Sequence, residues 1–461
     1  MTPAEAQDLR DRLEALEREN AALRAENARL RQALEEALRT AKRQAAPFSR
    51  NTPKPDPRPP GRKAGAQYGA PARRPIPAHV DETIRVPLPP TCPCGGAAVF
   101  DETCSQFQEE IVRRIWVRCF DVEVGHCATC GRHLHGRHPL QTSDALGAVQ
   151  VHLGPEAIAL AAQLTKGLGL SHADVATIFR QGYGLMVSRS GICRAVQRLG
   201  TKAAPTYTAL QQAVRTSLLV WIDETGWRVA ARLHWLWVAV TEEVTVFAIQ
   251  PGRGFDEAAA LLGADYAGFL HHDGWRPYYT FPHAFHQSCL AHLLHRCEEL
   301  RGRGSRAAAW FPRTVAALLR RGLTLRNRFQ AGDLSPHGLA VATGRLKAAM
   351  TRLLARPVRT PDNVRLANHL DHEQPYLFTF LDCPGLHATN NVAERALRPA
   401  VCARKTWGGN RTAAGARTQQ ILLSVLTTCR QQGRDAFTEL VALLRAPRPV
   451  SLALVPRGPA P

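Results

Sequence analysis

Leu218-Leu219-Val220-Trp221-Ile222-Asp223 is an apolar, β-prone run that ends in a carboxylate, and Phe269-Leu270-His271-His272-Asp273-Gly274 is a second run that ends the same way before a turn. Two such strands side by side bring both carboxylates to one edge of a sheet. Aspartate is costly to bury unless it is paired or bound to a cation, so twin acidic strand ends point to a shared metal site. Each aspartate taken alone fits an ordinary turn cap as well. Around them, His234 to Val240 and Val244 to Ile249 read as further strands, and Asp256 to Leu262 as a short helix ahead of Phe269 to His271. The order β-β-β-α-β predicts a mixed sheet with helices, an α/β core. Glu224, next to Asp223, is expected on the opposite side of its strand and not among the ligands.

The chain has 461 residues, 45% of them hydrophobic, enough for two or three domains. A formal charge of +20 calls for a polyanionic partner, because released counterions reward each neutralised phosphate. The seven lysines stand against 52 arginines, a skew that a GC-rich genome also produces. There is no basic-then-apolar leader pattern, and no apolar run reaches the roughly 18 residues of a membrane span, so a cytoplasmic protein without membrane contact is expected. The 12 cysteines should then stay reduced, and clustered ones read as metal ligands.

Upstream, Leu9, Leu16, Leu23 and Leu30 recur every seven residues, with Leu13, Asn20, Asn27 and Leu34 at the other seam position. Asparagine there fixes register, and Glu5/Arg10, Arg12/Glu17, Glu19/Arg24 and Glu26/Arg31 can bridge two chains, so a parallel dimeric coiled coil is expected. Residues 46–90 are rich in Pro, Gly and Arg and read as a basic tether. Cys92-Pro93-Cys94 and Cys127-Ala128-Thr129-Cys130 form two knuckles that can close a structural Zn²⁺ site, although the first has one intervening residue and not the usual two or more. Residues 150–216 look helical. Within them, His172 to Leu199 has a helix, a Gly182-Tyr183-Gly184 break, and a second helix capped by Ser188 that carries Arg189, Arg194 and Arg198. A helix-turn-helix and two helices packed without DNA contact fit this pattern equally.

Downstream, Thr389-Asn390-Asn391-Val392-Ala393-Glu394-Arg395-Ala396-Leu397-Arg398 reads as a helix start with Thr389, Asn390 or Asn391 as cap. Glu394, in its first two turns, can supply a third carboxylate, although an acid there also simply complements the helix dipole. Arg395, Arg398, Arg404 and Lys405 follow closely and are expected to hold phosphates; a solvated helix face is the alternative. Between Asp273 and Glu394, Ala291 to Leu300, Val315 to Arg328 and Leu339 to Leu354 read as Arg-rich helices of an insertion that either holds DNA or braces the core. Cys289 and His292 share one helix face, which permits metal ligation only if two more ligands converge; packed core residues are the alternative.

Together these motifs resemble the insertion-sequence sixty-six family of DDE transposases. The resemblance rests on Asp223-Glu224-Thr225-Gly226-Trp227-Arg228, His272-Asp273-Gly274-Trp275, Gln287-Ser288-Cys289-Leu290-Ala291-His292, Thr389 to Arg398, Arg404-Lys405 with Gly408-Gly409, and a late helix containing Ser424 and Val425. It covers nearly the whole chain. It implies a ribonuclease-H-like core with Asp223, Asp273 and Glu394 in the acidic roles, holding two Mg²⁺ (or Mn²⁺) ions roughly 4 Å apart for DNA cleavage and strand transfer. Cys289, His292, Asn390 and Asn391 would then lie near the site. Expected partners are transposon-end and target DNA, a second copy through the coiled coil, and accessory proteins of the same element in a bacterial, nucleoid-associated setting. The chain accordingly divides into a coiled coil (1–45), linker (46–90), zinc-binding module (91–140), helical segment (150–216), catalytic domain (217–445) with an insertion at about 290–385, and tail (446–461). Competing readings are a non-catalytic DNA-binding regulator and a ribonuclease-H-like nuclease without strand transfer.

Overall fold

A computed structural model describes residues 115–136 and 152–455, except 304–306 and 384, together with 138, 140, 141 and isolated positions before 115. The leucine repeat, the linker, Cys92 and Cys94 lie outside the described residues, apart from scattered helical positions that include the exposed Leu23 and Leu30. Contacts divide the chain into units 1–113 and 114–461. Every element named below belongs to the second.

The described part begins with an antiparallel hairpin, β1 (Val124–His126) and β2 (His133–His135). Its turn carries Cys127 and Cys130 and is closed by Cys127 N donating to Arg132 O (2.9 Å) and Gly131 N to Cys127 O (2.8 Å). Four helices follow: α1 (Pro155–Ala162), α2 (His172–Ile178), α3 (Arg189–Lys202) and α4 (Ala204–Arg215). A π turn extends α1 to Gly167, and another extends α2 to Tyr183. Gly184, at φ 73°, breaks the chain before Ser188 caps α3 through Gly191 N, as the sequence suggested. Ile192, Ala195, Val196 and Leu199 of α3 belong to the main core, while Arg189, Arg194 and Arg198 stay exposed.

The sheet comprises β3 (Leu219–Val229), β4 (Arg232–Val240), β5 (Thr245–Gln250), β6 (Phe269–His272) and β7 (Phe285–Ser288), with α5 (Phe255–Leu262) between β5 and β6. Its order is β5-β4-β3-β6-β7, antiparallel from β5 to β3 and parallel from β3 to β7. This mixed five-stranded sheet, covered by helices, fits a ribonuclease-H-like core. Successive side chains of β3 alternate between faces. Val220 and Ile222 join the core shared with α1 to α4, whereas Trp221, Trp227 and Val229 join a second core on the other face.

Two details depart from the sequence reading. Asp223 does not end its strand, because β3 runs on to Val229 and pairs with β4 throughout, from Trp221↔Val240 to Val229↔Arg232. The polar stretch Glu224-Thr225-Gly226 hides this continuation, and cross-strand pairing overrides its weak local propensity. Strand β7 was also not expected, since Phe285-His286-Gln287-Ser288 has one apolar residue. Its last three residues are buried, and Gln287 holds its place by donating to Leu377 O (3.3 Å) and accepting from Phe380 N (2.8 Å).

The insertion consists of α6 (Leu290–Arg303), α7 (Trp310–Gln330), α8 (Pro336–Leu354), α9 (Pro361–Glu373) and the short α10 (Thr379–Asp382). It buries a core of its own that includes Leu293, Phe311, Leu319, Leu346, Leu366 and Phe378. Then come α11 (Asn391–Trp407), α12 (Ala413–Gln431) and α13 (Ala436–Arg445). Helix α12 covers the open edge of the sheet: Thr428 Oγ1, Ser424 Oγ and Gln420 Oε1 accept from the backbone N–H of Thr245 (3.1 Å), Phe247 (2.8 Å) and Ile249 (3.1 Å). Four helical residues advance about 6 Å and two strand residues about 6.6 Å, so the two periods nearly coincide along this edge. No helix among the described residues is long and apolar enough to cross a membrane.

Candidate active site

The site forms where β3 and β6 part. Their parallel ladder stops at Trp221↔His271, so beyond it β3 loses its neighbour on one side while Asp223 lies two residues further on. Asn390, the residue before α11, fills part of this gap: its Nδ2 donates to Ile222 O (2.8 Å) and its backbone N–H to Cys289 Sγ (3.1 Å). Asn390 is therefore no side-chain cap for α11, contrary to one option left open by the sequence; it pins the helix start to β3. Further along, the loop after α11 crosses β3, with Asn410 N donating to Arg228 O (2.8 Å) and Ala230 N to Asn410 O (2.9 Å). Gly409 permits the crossing, since it has φ 128° and a Cβ there would sit 2.4 Å from Arg228 O.

Helix α11 packs Ala393, Leu397 and Ala400 against the Trp221 face of the sheet, the face that Asp223 shares by alternation. Glu394 thereby comes to a cavity of about 490 Å³ lined by Asp223, Glu224, Thr225, Asn391, Glu394, Arg395, Leu397, Arg398 and Val401. Asp223 accepts only from the N–H of Glu224 (2.9 Å) among its described hydrogen bonds. Burial, then the nearby charges of Glu224 and Asp273, push its carboxyl up to about 8.

Asp273 lies just past β6. Its Oδ1 accepts from Trp275 N (2.9 Å), so it does cap the turn at Gly274, and its Oδ2 lies 3.8 Å from the Arg253 guanidinium. The turn is anchored below by His272, whose Nδ1 accepts from Gly274 N (3.0 Å) and whose Nε2 faces His286 Nδ1 at 3.2 Å. Burial, followed by the charges of His286 and His271, holds His272 well below its usual range, so it serves as a neutral brace.

Glu224 faces the other way, as expected. Its carboxylate receives the Tyr278 hydroxyl and an ion pair from Arg253, whose guanidinium sits 4.9 Å from the Trp235 ring and 4.2 Å from that of Trp275. Burial raises the Glu224 carboxyl, with Tyr278 and Arg253 opposing that rise. Arg253 thus touches Glu224 and Asp273 both. Sequence reading missed it; the signal was a lone arginine between two glycines, Gly252 and Gly254, after β5.

Among the described residues, the three-ligand group whose donor atoms all lie within 4.8 Å of one another is Cys289, His292 and Glu394, and not the three carboxylates. His292 Nδ1 is 3.7 Å from Glu394 Oε1. A hydrogen bond with Cys289, then the charges of Cys289, Glu394 and Asp273, outweigh burial and raise His292 to about 9. Of the two further groups expected beside Cys289 and His292, the described residues bring one, Glu394.

Of the four basic residues expected at phosphates, Arg395 and Arg398 are exposed and line the cavity, and Lys405 is half-buried. The Arg404 guanidinium instead donates to Gly226 O and to Thr225 Oγ1 (3.2 Å), bracing β3. Cys127 is half-buried and Cys130 exposed in the β1–β2 turn, and hydrogen bonds from the backbone of Cys130 and Thr129 lower the Cys127 thiol.

Residues 151–418 match the family model described as Transposase IS66 family. No curated protein matches the chain.

Proposed function

Since the chain belongs to the IS66 family of transposases, a DDE-type family whose members act on DNA with divalent metal, we propose that it cleaves and rejoins the DNA of an insertion sequence with Asp223, Asp273 and Glu394 as ligands of Mg²⁺ or Mn²⁺. One observation carries this reading. Asp223 and Glu394 line one cavity, and Asp273 lies near enough that its charge, after burial and the charge of Glu224, helps raise the Asp223 carboxyl to about 8, so acidic groups from three separate elements gather at one place. Hard oxygen donors in this number suit a hard divalent cation.

When bound, such cations supply Lewis acidity for the attacking oxygen and the scissile phosphate, with water as nucleophile for cutting and a DNA 3′-hydroxyl for joining. The chain's own residues do the positioning. Asn390 fixes the start of α11 against β3 and so sets where Glu394 stands. Arg395 and Arg398 hold the phosphates that flank the reacting bond, where guanidinium forks pair with phosphate oxygens. Lys405 adds charge further along α11, and Arg404 keeps β3 in place from the same helix.

Outside the core, Cys127 and Cys130 would supply two thiolates to a structural Zn²⁺ site, and the leucine repeat would pair two copies in parallel. The exposed Arg194 and Arg198 of α3, one turn apart, give the helical segment a basic face for the transposon end, and Arg189 adds charge at the helix start.

The test is cleavage and joining of labelled DNA from the ends flanking the gene, with Mg²⁺ or Mn²⁺, comparing the native chain with Glu394→Gln. Metal-dependent cutting and joining that vanish in the variant are expected. Cutting without joining would make the protein a nuclease, and equal activity in both proteins would remove Glu394 from the chemistry.

A further inference from the structure

Cys289 sits directly before α6, His292 in its first turn, and Glu394 in the first turn of α11, so two helix starts meet at this point. Their donor atoms lie within 4.8 Å of one another, and His292 Nδ1 to Glu394 Oε1 is 3.7 Å. In a tetrahedral zinc site, with Zn–N and Zn–O of about 2.0 Å and Zn–S of about 2.3 Å, neighbouring donors lie roughly 3.3–3.6 Å apart. Small side-chain adjustments separate the observed cluster from that geometry. The donor set is also of a different kind from the acidic group beside it: one thiolate, one imidazole and one carboxylate select zinc-type ions, where all-oxygen sets select magnesium.

We propose that Cys289, His292 and Glu394 hold a zinc-type ion, with the fourth position left to water or a phosphate oxygen. Three features of the fold prepare the site. Cys289 is 1% exposed and its backbone N–H is bonded to His272 O (2.8 Å), so its sulfur is held in place. The N–H of Asn390 donates to that sulfur at 3.1 Å, so the sulfur is also oriented by the start of α11. The same Asn390 ties α11 to Ile222 O, fixing the distance between the Cys/His pair and Glu394. On binding, the ion displaces the protons of the Cys289 thiol and of His292 to solvent, and metal–sulfur, metal–nitrogen and metal–oxygen bonds form with no change of oxidation state. Such an ion fixes the carboxylate that also lines the cavity. That consequence rests on the proposed role of Glu394; the binding site itself does not.

The experiment counts metal on the full chain. Zinc per chain is measured after exhaustive dialysis, and cobalt(II) is added to the metal-free protein while its thiolate charge-transfer absorption is followed. The native chain is compared with Cys289→Ser, His292→Ala and Glu394→Gln, each checked for folding by its thermal transition. Cys289→Ser and His292→Ala are expected to bind one zinc fewer than the native chain, whatever the cysteine hairpin binds. Glu394→Gln should weaken binding at this site while leaving thiolate absorption detectable. His292 is half-exposed, so His292→Ala carries the test should Cys289→Ser fail to fold. Native stoichiometry and native affinity in His292→Ala would overturn the proposal. Because the readout is bound metal, it stands even if no DNA is cut.

Discussion

Asp223 and Glu224 are consecutive carboxylates on one strand, and the protein treats them in opposite ways. Glu224 is buried against the larger core, where Tyr278 and Arg253 complete its hydrogen bonds and supply a countercharge. Asp223 faces the cavity beside α11, with a single N–H to accept from and like charges nearby. One face of β3 is closed by the protein's own groups and contributes to stability. The other gathers the carboxylates of Asp223 and Glu394 beside the guanidinium groups of Arg395 and Arg398, an arrangement that suits a cation together with a phosphate.

The largest effect expected from this contrast is that of Asp223→Asn. With Asp223 in its proposed role as a metal ligand, its loss should lower DNA cleavage by about 10³-fold or more, worth roughly 4 kcal/mol of transition-state stabilisation. The thermal midpoint of the metal-free protein should stay level or rise, because the cost of burying an ionisable acid, seen in its raised carboxyl, is gone. An unfolded or strongly destabilised Asp223→Asn would break the contrast. Glu224→Gln should show the reverse pattern. It strips Arg253 of its partner and weakens a buried network, at a cost of about 1–3 kcal/mol discounted for the partial exposure of Arg253. Cleavage per folded molecule should fall less than tenfold. Lost cleavage with unchanged stability would instead make Glu224 one of the metal ligands.

The two aspartate strands were legible because apolar runs ending in carboxylates are rare and their order restricts the topology, and the α11 start was legible from its Asn-rich cap region. What the sequence did not reveal shares one cause: partners far apart along the chain. The outer half of β3 is a strand because β4 and the loop at Asn410 pair with it, and nothing in Glu224-Thr225-Gly226 announces this. Likewise β7 is built from polar residues whose bonds run to Leu377 and Phe380. At the site, Arg253 is reached through the β5–α5 turn and Glu394 joins Cys289 and His292 from about a hundred positions away, so no local spacing marks either contact. Arg404 is the converse case. Its position among basic residues suggested phosphate binding, but its guanidinium is engaged by Gly226 and Thr225.

A smaller effect separates the supporting edge of the sheet from the reactive one. Ser424→Ala leaves the N–H of Phe247 without its acceptor in a buried setting, which should cost about 1–2 kcal/mol in chemical denaturation. Activity per folded molecule should be unchanged, since α12 meets β5, two strands away from Asp223. A selective loss of cleavage would show that the edge contact shapes the site after all.

Arg398→Ala should have the smallest effect and sharpens the contrast from the opposite side. Arg398 is exposed and lines the cavity, so the fold does not depend on it and the melting transition should not move measurably. If it neutralises a phosphate, DNA binding should weaken by roughly tenfold, and the slope of log affinity against log salt should become shallower by about one. A phosphate contact weakens all sequences alike, so end DNA and unrelated DNA should lose affinity together. An unchanged salt slope would return Arg398 to a solvated helix face. In that case the attraction for DNA at the Asp223 side of β3 would rest on Arg395, on the more distant Lys405 and on metal.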